Sequence, residues 1–326
     1  MRAMLVRELS DDIAALQLEE VPAPPSPGPG QVRIRLKACS INFPDILMVQ
    51  GKYQLKPDLP FSPGMEGSGL ITQLGPDVTD LKVGDRVVAG LRTGGLAEEV
   101  NAAVSACRIM PEGLSFAKAA AYPAAYLTAY VALVKRGNLQ PGETLLVHGS
   151  SGGVGLAAVE VGKLIGATVI ATSASDEKLK VVKQRGADHV INVTHGFREK
   201  VKELTGGKGA DVIYDPVGGD IFDESVRCIN WNGRLLVIGF TSGRIPSINA
   251  NMPLIKGFSV VGVRAGEYGR RDPDAGKSNI ETVDAWVAQG KVDPYICQTF
   301  ELKDSVEAMR VLQNRQAIGK VVVLID

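Results

Sequence analysis

Residues 145–166 have the sequence LLVHGSSGGVGLAAVEVGKLIG, and this stretch determines the predicted fold class. It begins with a short apolar run that is typical of a buried strand and passes into a glycine-rich loop at residues 148–155. A segment with apolar residues on one helical face follows and ends at Gly166, where glycine adopts the left-handed conformation without a Cβ penalty. The stretch therefore predicts a strand, a glycine loop and a helix in direct succession.

The same alternation continues along the middle of the chain. Apolar or β-branched runs return at a steady interval, at residues 145–148, 168–172, 189–193, 211–214, 234–239 and 258–263. Segments of helical periodicity lie between them, and we expect these helices to end at Gly166, Gly186, Gly206 and Gly233. Strand–helix–strand units at this spacing predict a parallel sheet covered by helices on both faces. Residues 123–264 are thus predicted to form a doubly wound domain.

The flanking segments show a different pattern. Residues 21–31 form a Pro- and Gly-rich connector, and residues 32–38 alternate apolar with cationic side chains, as in an antiparallel strand with one face in water. Further elements are predicted on both sides, with strands at 67–75, 86–89, 95–100 and 320–325 and helices at 283–287 and 306–312. We predict one β-rich domain from residues 1–122 and 265–326, with the doubly wound domain inserted between them.

Composition narrows the class of protein. The chain of 326 residues has 36 Lys and Arg against 36 Asp and Glu, so no net charge attracts it to nucleic acid or to a membrane surface. No run reaches the roughly 20 apolar residues that a membrane-spanning helix needs, and the N-terminus carries acids where a signal peptide has its apolar centre. We expect a cytoplasmic protein without nucleic-acid or membrane partners. The four cysteines are scattered singly and are predicted to be reduced and buried.

The glycine loop predicts dinucleotide binding. Ser150 occupies the first glycine position of a GxGxxG pattern, whereas Gly152 and Gly155 keep the second and third. Gly152 allows the backbone to approach a pyrophosphate, and the helix N-terminus offers free N–H groups and the positive end of its dipole. The alternative is a tight turn that needs glycine only for its geometry.

The end of the second strand indicates which nicotinamide cofactor is preferred. NAD sites place a carboxylate about 20 residues past the loop to bind the ribose 2′-hydroxyl. Here the strand ends in Ser173, no acid occurs before Asp176, and Lys178 follows closely. A hydroxyl and a cation favour a 2′-phosphate, so NADPH is predicted. The alternative for Lys178 is a solvated lysine at a helix start.

Together these motifs resemble the medium-chain dehydrogenase/reductase superfamily, and specifically its quinone oxidoreductase branch. The resemblance covers nearly the whole chain and rests on PGMEGSG (63–69), LKVGDRV (81–87), SSGGVG (150–155), YDPVGG (214–219) and AIGKVVVLI (317–325). It implies a Rossmann-like doubly wound parallel sheet inserted into a β-rich GroES-like catalytic domain. A homodimer with a continuous sheet, joined through the edge strand at 258–263, is also expected.

The resemblance also implies that no metal is bound. Zinc-dependent members of the superfamily use a Cys–His–Cys set, whose positions here hold Asn42 and Met65 and fall near Ala124. A structural zinc lobe needs four clustered cysteines, and only Cys107 lies in that region. Zinc requires about four N or S ligands in tetrahedral geometry, so neither zinc site is predicted.

The resemblance places Asn42, Asp45 and Tyr53 beside the nicotinamide as the catalytic residues. Asn42 is expected to donate its amide to the acceptor carbonyl, and Tyr53 to donate its phenol or to stack on the acceptor. Asp45 is expected to orient its neighbours, with a helix-start carboxylate after Pro44 as the alternative. The implied cofactor contacts form a larger set: Asn42, Thr128, Gly152, Gly153, Val154, Gly155, Ser173, Lys178, Gly239, Phe240, Arg264 and Arg315. The chain departs from several relatives at Val193, where they carry a tyrosine near the adenine.

These features predict a metal-free, NADPH-dependent reductase that passes a hydride to a quinone or a similar small electrophile. One alternative is a 2-enal or enoyl-thioester reductase, for which Arg270 and Arg271 are candidate contacts to an anionic acyl carrier, unless they form a solvated turn. An alternative of another class is a non-catalytic, NADPH-binding structural or RNA-associated protein. The balanced charge and the lack of a basic stripe argue against that class.

Overall fold

The computed structural model describes every residue from Met1 to Asp326. The chain divides into two compact units. Unit 1 comprises Met1–Pro123 and Pro294–Asp326, and unit 2 comprises Ala124–Asp293. Unit 2 is therefore an insertion in the sequence of unit 1.

The first part of unit 1 consists mainly of strands. Its elements are β1 (Arg2–Val6), β2 (Leu16–Glu20), β3 (Gln31–Ile41), α1 (Phe43–Val49), β4 (Glu66–Leu74), β5 (Arg86–Gly90), β6 (Glu99–Ala103), β7 (Cys107–Ile109) and α2 (Phe116–Ala121). In β3 the apolar Val32, Ile34 and Leu36 are fully buried, whereas Arg35 faces solvent, as the alternating pattern predicts. This strand carries much of the unit 1 core.

Unit 2 alternates strands with helices. Its elements are α3 (Pro123–Tyr130), β8 (Thr144–Val147), α4 (Gly153–Ile165), β9 (Thr168–Ser173), α5 (Asp176–Gln184), β10 (His189–Asn192), α6 (Arg198–Leu204), β11 (Ala210–Asp215), α7 (Gly219–Ser225), β12 (Ile229–Val237), α8 (Asn251–Lys256), β13 (Ser259–Gly262), α9 (Ala265–Arg271) and α10 (Pro273–Ala288). A π-helical turn, Val131–Arg136, continues α3.

The six strands of unit 2 form one parallel sheet in the order β10-β9-β8-β11-β12-β13. This order confirms the predicted doubly wound fold, with β8 and β11 at the point where the strand order reverses. Gly166, Gly186 and Gly206 follow their helices with positive φ values of 95°, 111° and 59°, as expected. The prediction for Gly233 was wrong, because this glycine lies inside β12, which begins at Ile229.

The chain then returns to unit 1 with β14 (Ile296–Glu301), α11 (Ser305–Gln313) and β15 (Lys320–Leu324). The main sheet of unit 1 has the order β14-β15-β3-β4-β5-β7, and β6 also pairs with β3. β15 runs antiparallel to β3 and brings the start of β15 beside the end of β3. β1 and β2 form a separate antiparallel pair. This topology positions the polar cluster of unit 1 described below.

The boundary at the end of the doubly wound domain differs from the expected one. We expected residues 265–293 in the β-rich domain, but the structure assigns them to unit 2. The physical reason is contact with the rest of unit 2: at the end of this segment the backbone N–H of Asp293 donates to the Glu160 carboxylate of α4 at 3.3 Å. In addition, Trp286 of α10 packs its ring edge-on against Tyr130, with centroids 5.3 Å apart.

Two other observations complete the fold. The predicted strand at 95–100 is displaced, because β6 begins only at Glu99 and residues 95–98 form a turn and a short connection. As for the membrane, none of the helices combines the length and the apolar character needed to cross one.

Candidate functional site

The glycine loop joins β8 to α4 and supplies a ready anion-binding position. α4 begins at Gly153 with Gly152 as its N-cap residue. The N–H of Leu156 donates to the Gly152 carbonyl oxygen at 2.8 Å. The N–H groups of Gly153, Val154 and Gly155 therefore keep no acceptor inside the helix. Three free donors at the positive end of a helix dipole suit a phosphate group.

Close packing accounts for the residues at the first and third positions of the loop motif. A Cβ at Gly155 would lie 2.2 Å from the carbonyl oxygen of Gly149, so only glycine fits there. Ser150, in place of the first glycine, is buried, and its N–H and Oγ both donate to the carbonyl oxygen of Thr172, at 3.1 and 2.8 Å. Ser150 thereby ties the loop to the end of β9.

The fully buried His148 sits at the start of the loop, and the sequence analysis missed it. Its Nδ1 lies 2.9 Å from the Thr172 Oγ1, and its Nε2 lies 2.8 Å from the Ser225 Oγ. Because Ser225 donates its own hydrogen to the Ile221 carbonyl oxygen at 2.7 Å, the Nε2 atom carries the ring proton and Nδ1 accepts from Thr172. Burial lowers the pKa of His148 to about 3, so the ring is neutral at pH 7. A polar residue between an apolar strand and a glycine loop is the signal that could have identified it.

The end of β9 presents hydroxyl groups beside the loop. The Ser173 Oγ lies 3.4 Å from the Ser151 Oγ, so the structure brings Ser173 to the glycine loop. The first acid after the strand, Asp176, accepts a hydrogen bond from the Asn192 Nδ2 at 2.8 Å and is thus engaged with the end of β10. Lys178 is half-buried in the first turn of α5. Asp176 and Glu177 share this first turn with Lys178, so the turn contains two acids and one cation.

The other residues predicted to contact the cofactor belong to both units. In unit 2, Thr128 is half-buried in α3, Gly239 and Phe240 follow β12, and Arg264 precedes α9 with a side chain that is 62% exposed. Arg315 belongs to unit 1 and is an exposed residue after α11 with a left-handed φ of 55°.

The candidate contacts for an acyl carrier lie on a helix and not in a turn. Arg270 and Arg271 belong to α9, and their guanidinium groups lie 2.9 and 2.8 Å from the carboxylate of Glu267. The hydrogen bonds from both arginines lower the pKa of Glu267 to about 2.

An open groove of about 600 Å³ occurs elsewhere in unit 2, around α6 and α7, and includes none of the predicted site residues.

In unit 1, Asn42 is part of a buried polar cluster that also contains Glu66 and Lys320. The Asn42 Oδ1 accepts a hydrogen bond from the Lys320 Nζ at 2.6 Å, and its Nδ2 donates to the Glu66 Oε1 at 2.8 Å and to the Ser40 carbonyl oxygen at 3.3 Å. Lys320 also donates to the Glu66 Oε1 at 3.0 Å. Both amide hydrogens of Asn42 are therefore used within the protein. The expectation that they reach an acceptor carbonyl does not agree with this geometry.

Asp45 acts as a helix-start carboxylate, which was the alternative for this residue. Its Oδ2 accepts from the backbone N–H of Asn42 at 2.8 Å, and its Oδ1 accepts from the N–H of Gly64 at 3.1 Å. The side chain is fully buried. Burial raises the pKa of Asp45 to about 7, against the lowering effect of the Asn42 hydrogen bond. Burial likewise holds the pKa of the nearby Cys39 thiol well above its usual value.

Tyr53 keeps its phenol available. Its backbone N–H donates to the Leu47 carbonyl oxygen of α1 at 3.2 Å, and its ring is half-buried against the core of unit 1. Its hydroxyl makes no hydrogen bond with any residue of the chain, unlike the amide of Asn42. Of the three predicted catalytic side chains, Tyr53 is the one with a free donor.

The donor set of unit 1 does not fit a zinc ion. The amide of Asn42 is engaged by Lys320 and Glu66, and Met65 offers only a thioether. All four cysteines are free, and three of them are buried. No three His, Cys, Asp or Glu side chains of the chain are grouped as metal ligands. A tetrahedral zinc site needs four well-placed ligands, which these residues do not provide.

Comparison with known proteins places these features in a family. Residues 28–132 match the alcohol dehydrogenase GroES-like domain, and residues 153–282 match the family described as zinc-binding dehydrogenase. Over 291 residues the chain is 44% identical to the quinone oxidoreductase-like protein 2 homolog of Nematostella vectensis, which covers 88% of this chain and 79% of that protein.

Two solved structures share the whole fold. The Escherichia coli quinone oxidoreductase complexed with NADPH has a TM-score of 0.92 and 29% identity, over 99% of this chain and 100% of that one. An NAD-dependent alcohol dehydrogenase has a TM-score of 0.91 and 31% identity over the full length of both chains.

The family matches agree with the strand order and glycine loop of unit 2 and with the β-rich sheet of unit 1. The chain is thus a nicotinamide-dependent oxidoreductase, and it belongs to the quinone oxidoreductase branch of the medium-chain dehydrogenase/reductase superfamily.

Proposed function

We propose that this oxidoreductase uses NADPH to reduce a quinone or a similar activated carbonyl compound, without a metal ion. The observation that carries the proposal is the combination at the start of α4 and the end of β9. The free N–H groups of the helix start, which suit a pyrophosphate, lie beside a strand end that offers the Ser173 hydroxyl. The first acid after that strand, Asp176, accepts a hydrogen bond from Asn192.

The preference for NADPH over NADH follows from charge at this strand end. A carboxylate that accepts from both ribose hydroxyls is the usual NAD determinant, and it repels a 2′-phosphate. Ser173 replaces that carboxylate, and Lys178 supplies a cation in the first turn of α5. The glycine loop also suits a dinucleotide, because a Cβ at Gly155 would clash with the Gly149 carbonyl oxygen, and glycine there lets the start of α4, with its free N–H groups, lie close to the loop.

The chemistry proposed for the acceptor needs no metal. The bound nicotinamide supplies the hydride, and the protein orients the acceptor and meets the developing negative charge. Tyr53 offers a free phenol donor for that purpose. Support for metal independence comes from the engaged amide of Asn42 and from the four scattered thiols, which form no group of metal ligands.

Steady-state oxidation of NADPH tests the proposal. Purified protein is assayed with 1,4-benzoquinone, 9,10-phenanthrenequinone and a 2-enal, before and after prolonged dialysis against a chelator. We expect quinone-dependent turnover that chelation leaves unchanged. Faster turnover of the 2-enal would favour the enoyl-type reductase. NADPH binding without any turnover would favour the non-catalytic class, and loss of activity together with stoichiometric zinc would refute metal independence.

We further propose that two copies associate through the edge of the unit 2 sheet. β13 is an edge strand, and Val260 on it is 38% exposed. Leu254 of α8 is 80% exposed and Trp231 of β12 is 71% exposed, so the two elements that precede β13 also present large apolar side chains to solvent. Leu254→Asp is expected to give a monomer in sedimentation velocity. Val83→Asp, at a 60% exposed site of unit 1, is the matched control and is expected to leave a dimer. A monomeric wild type would refute the proposal.

A further inference from the structure

Lys320 and Glu66 form an ion pair that is almost completely removed from solvent. The Nζ and Oε1 atoms are 3.0 Å apart, and the side chains are only 6% and 2% exposed. Removal of two charges from water is costly, so such a pair needs further hydrogen bonds to persist. Asn42 supplies them on both sides, because its Oδ1 faces the ammonium and its Nδ2 faces the carboxylate.

The pair fixes the orientation of the Asn42 amide. An amide rotated by half a turn would point its NH₂ group at the Lys320 ammonium and its oxygen at the Glu66 carboxylate, and both contacts would be repulsive. Asn42 is also the residue that precedes α1, and its backbone N–H donates to Asp45 in the first turn. The Asp45 carboxylate accepts in addition from Gly64, two residues before Glu66. Lys320 is the first residue of β15 and Glu66 the first residue of β4, and both contact the start of α1 through the Asn42 side chain.

The same helix determines where Tyr53 lies. α1 is only seven residues long and ends at Val49, and after the C-cap residue Gln50 the chain turns at Gly51, which has a left-handed φ of 67°. The N–H groups of Lys52 and Tyr53 both donate to the Leu47 carbonyl oxygen, at 2.8 and 3.2 Å. A shift or rotation of α1 at Asn42 therefore moves the Tyr53 phenol with it.

We propose that Lys320 is a positioning residue of the acceptor site: paired with Glu66, it holds Asn42 and the start of α1 so that the Tyr53 hydroxyl reaches the acceptor. Lys320 itself touches neither acceptor nor cofactor in this role. The inference rests on the proposed function, since it assigns Tyr53 to the site where the acceptor binds. This positioning role explains why position 42 holds an asparagine whose amide hydrogens are both engaged within the protein.

Two variants separate positioning from folding. Lys320→Met leaves the Glu66 charge buried without its partner and is expected to lower both stability and turnover. The double variant Glu66→Gln/Lys320→Met removes both charges, so its melting temperature is expected to return toward that of the wild type. Turnover is expected to remain low in the double variant, because the ion pair that fixes the orientation of the Asn42 amide is then absent. Arg33→Met, at a 14% exposed arginine of unit 1 that is paired with Glu99, is the matched control with unchanged turnover.

A kinetic cycle with Tyr53→Phe tests whether Lys320 acts through Tyr53. Misplacement of a reacting group by about 1 Å costs up to roughly 100-fold in rate, so we expect Lys320→Met to lower kcat for a 2-enal by about 10- to 100-fold with an unchanged KM for NADPH. In the Tyr53→Phe background the same substitution is expected to change kcat by less than about twofold, because the two residues act as one unit. Equal effects in both backgrounds, or turnover that recovers with stability in the double variant, would overturn the proposal.

A spectroscopic readout separates this inference from the proposed function. Protein labelled with ¹³Cζ-tyrosine is measured by NMR, and the Tyr53 signal is assigned by its loss in Tyr53→Phe. We expect this signal to shift in Lys320→Met and in the double variant, but not in Arg33→Met. An unshifted signal refutes the positioning role even in an active enzyme. A wild type that turns over no acceptor refutes the proposed function, and the Tyr53 signal then still decides whether Lys320 positions that residue.

Discussion

The neutral, buried ring of His148 makes the stability of the protein depend on pH in a way that one substitution removes. The folded pKa of His148 is lowered to about 3 by burial, whereas an unfolded histidine has a pKa of about 6.5. Between these values the unfolded chain binds a proton that the folded chain does not, so stability is fully present above about pH 6.5 and falls as the pH falls. At pH 5 the lost stability from this residue amounts to about 2 kcal/mol.

Urea denaturation of the wild type and of His148→Asn at pH 7.5 and pH 5 measures this contribution. Asparagine keeps a donor group and an acceptor group but does not titrate. Between pH 7.5 and pH 5 the free energy of unfolding of the variant is therefore expected to fall by about 2 kcal/mol less than that of the wild type. His195→Asn, at an exposed histidine, is the control and is expected to behave as the wild type. Identical pH dependence of His148→Asn and wild type, or a His148 ring signal that titrates between pH 5 and pH 7 in NMR, would refute the reasoning.

Three further predictions concern the cofactor and the acceptor. Lys178→Glu is expected to weaken NADPH binding by about 10- to 150-fold, or about 1.5–3 kcal/mol, with little change for NADH, whereas Lys180→Glu at an exposed neighbour leaves both unchanged in calorimetry. Equal losses for both cofactors would assign Lys178 to the fold. Gly153→Asp is expected to abolish cofactor binding while circular dichroism and melting of the free protein stay the same, and unfolding of the free protein would instead favour a purely structural turn. Tyr53→Phe is expected to lower kcat strongly for a 2-enal and only slightly for a quinone at saturating NADPH, and an unchanged kcat for both would leave Tyr53 as a wall of the pocket.

Local patterns allowed unit 2 to be predicted well. The apolar runs, the helical periodicity and the glycine loop all lie within short windows, and the parallel sheet then follows from general rules of connection. The boundary after residue 264 was displaced to Asp293, because the amphipathic pattern of α10 shows that it packs but not against which unit. Gly233 was misassigned for a related reason, since a glycine between two apolar runs fits a helix end as well as a strand interior.

Long-range pairing limited what could be predicted about the site in unit 1. Lys320 lies 254 residues from Glu66 and 278 residues from Asn42 along the chain, and no local motif joins them. The register of β15 against β3 brings them together, since Val321 pairs with Ile41. The family resemblance could therefore identify Asn42 as a candidate site residue but could not show that its amide was already engaged.

The hydrogen bonds that occupy the Asn42 amide affect which class of acceptor the site suits. A hydride added to an enone leaves a strongly basic enolate, whose oxygen needs a well-placed donor, whereas a quinone yields an aromatic and much more weakly basic anion. With both amide hydrogens of Asn42 bonded to Glu66 and Ser40, the Tyr53 phenol is the single free donor among the three predicted catalytic side chains. A site with one neutral donor, held in place by a buried ion pair, gives modest stabilisation of a developing oxyanion compared with sites that combine two donors or a metal. The acceptor that needs the least help is then favoured, which argues for quinones over enals and makes the ratio of their kcat values the sharpest single measure of this site.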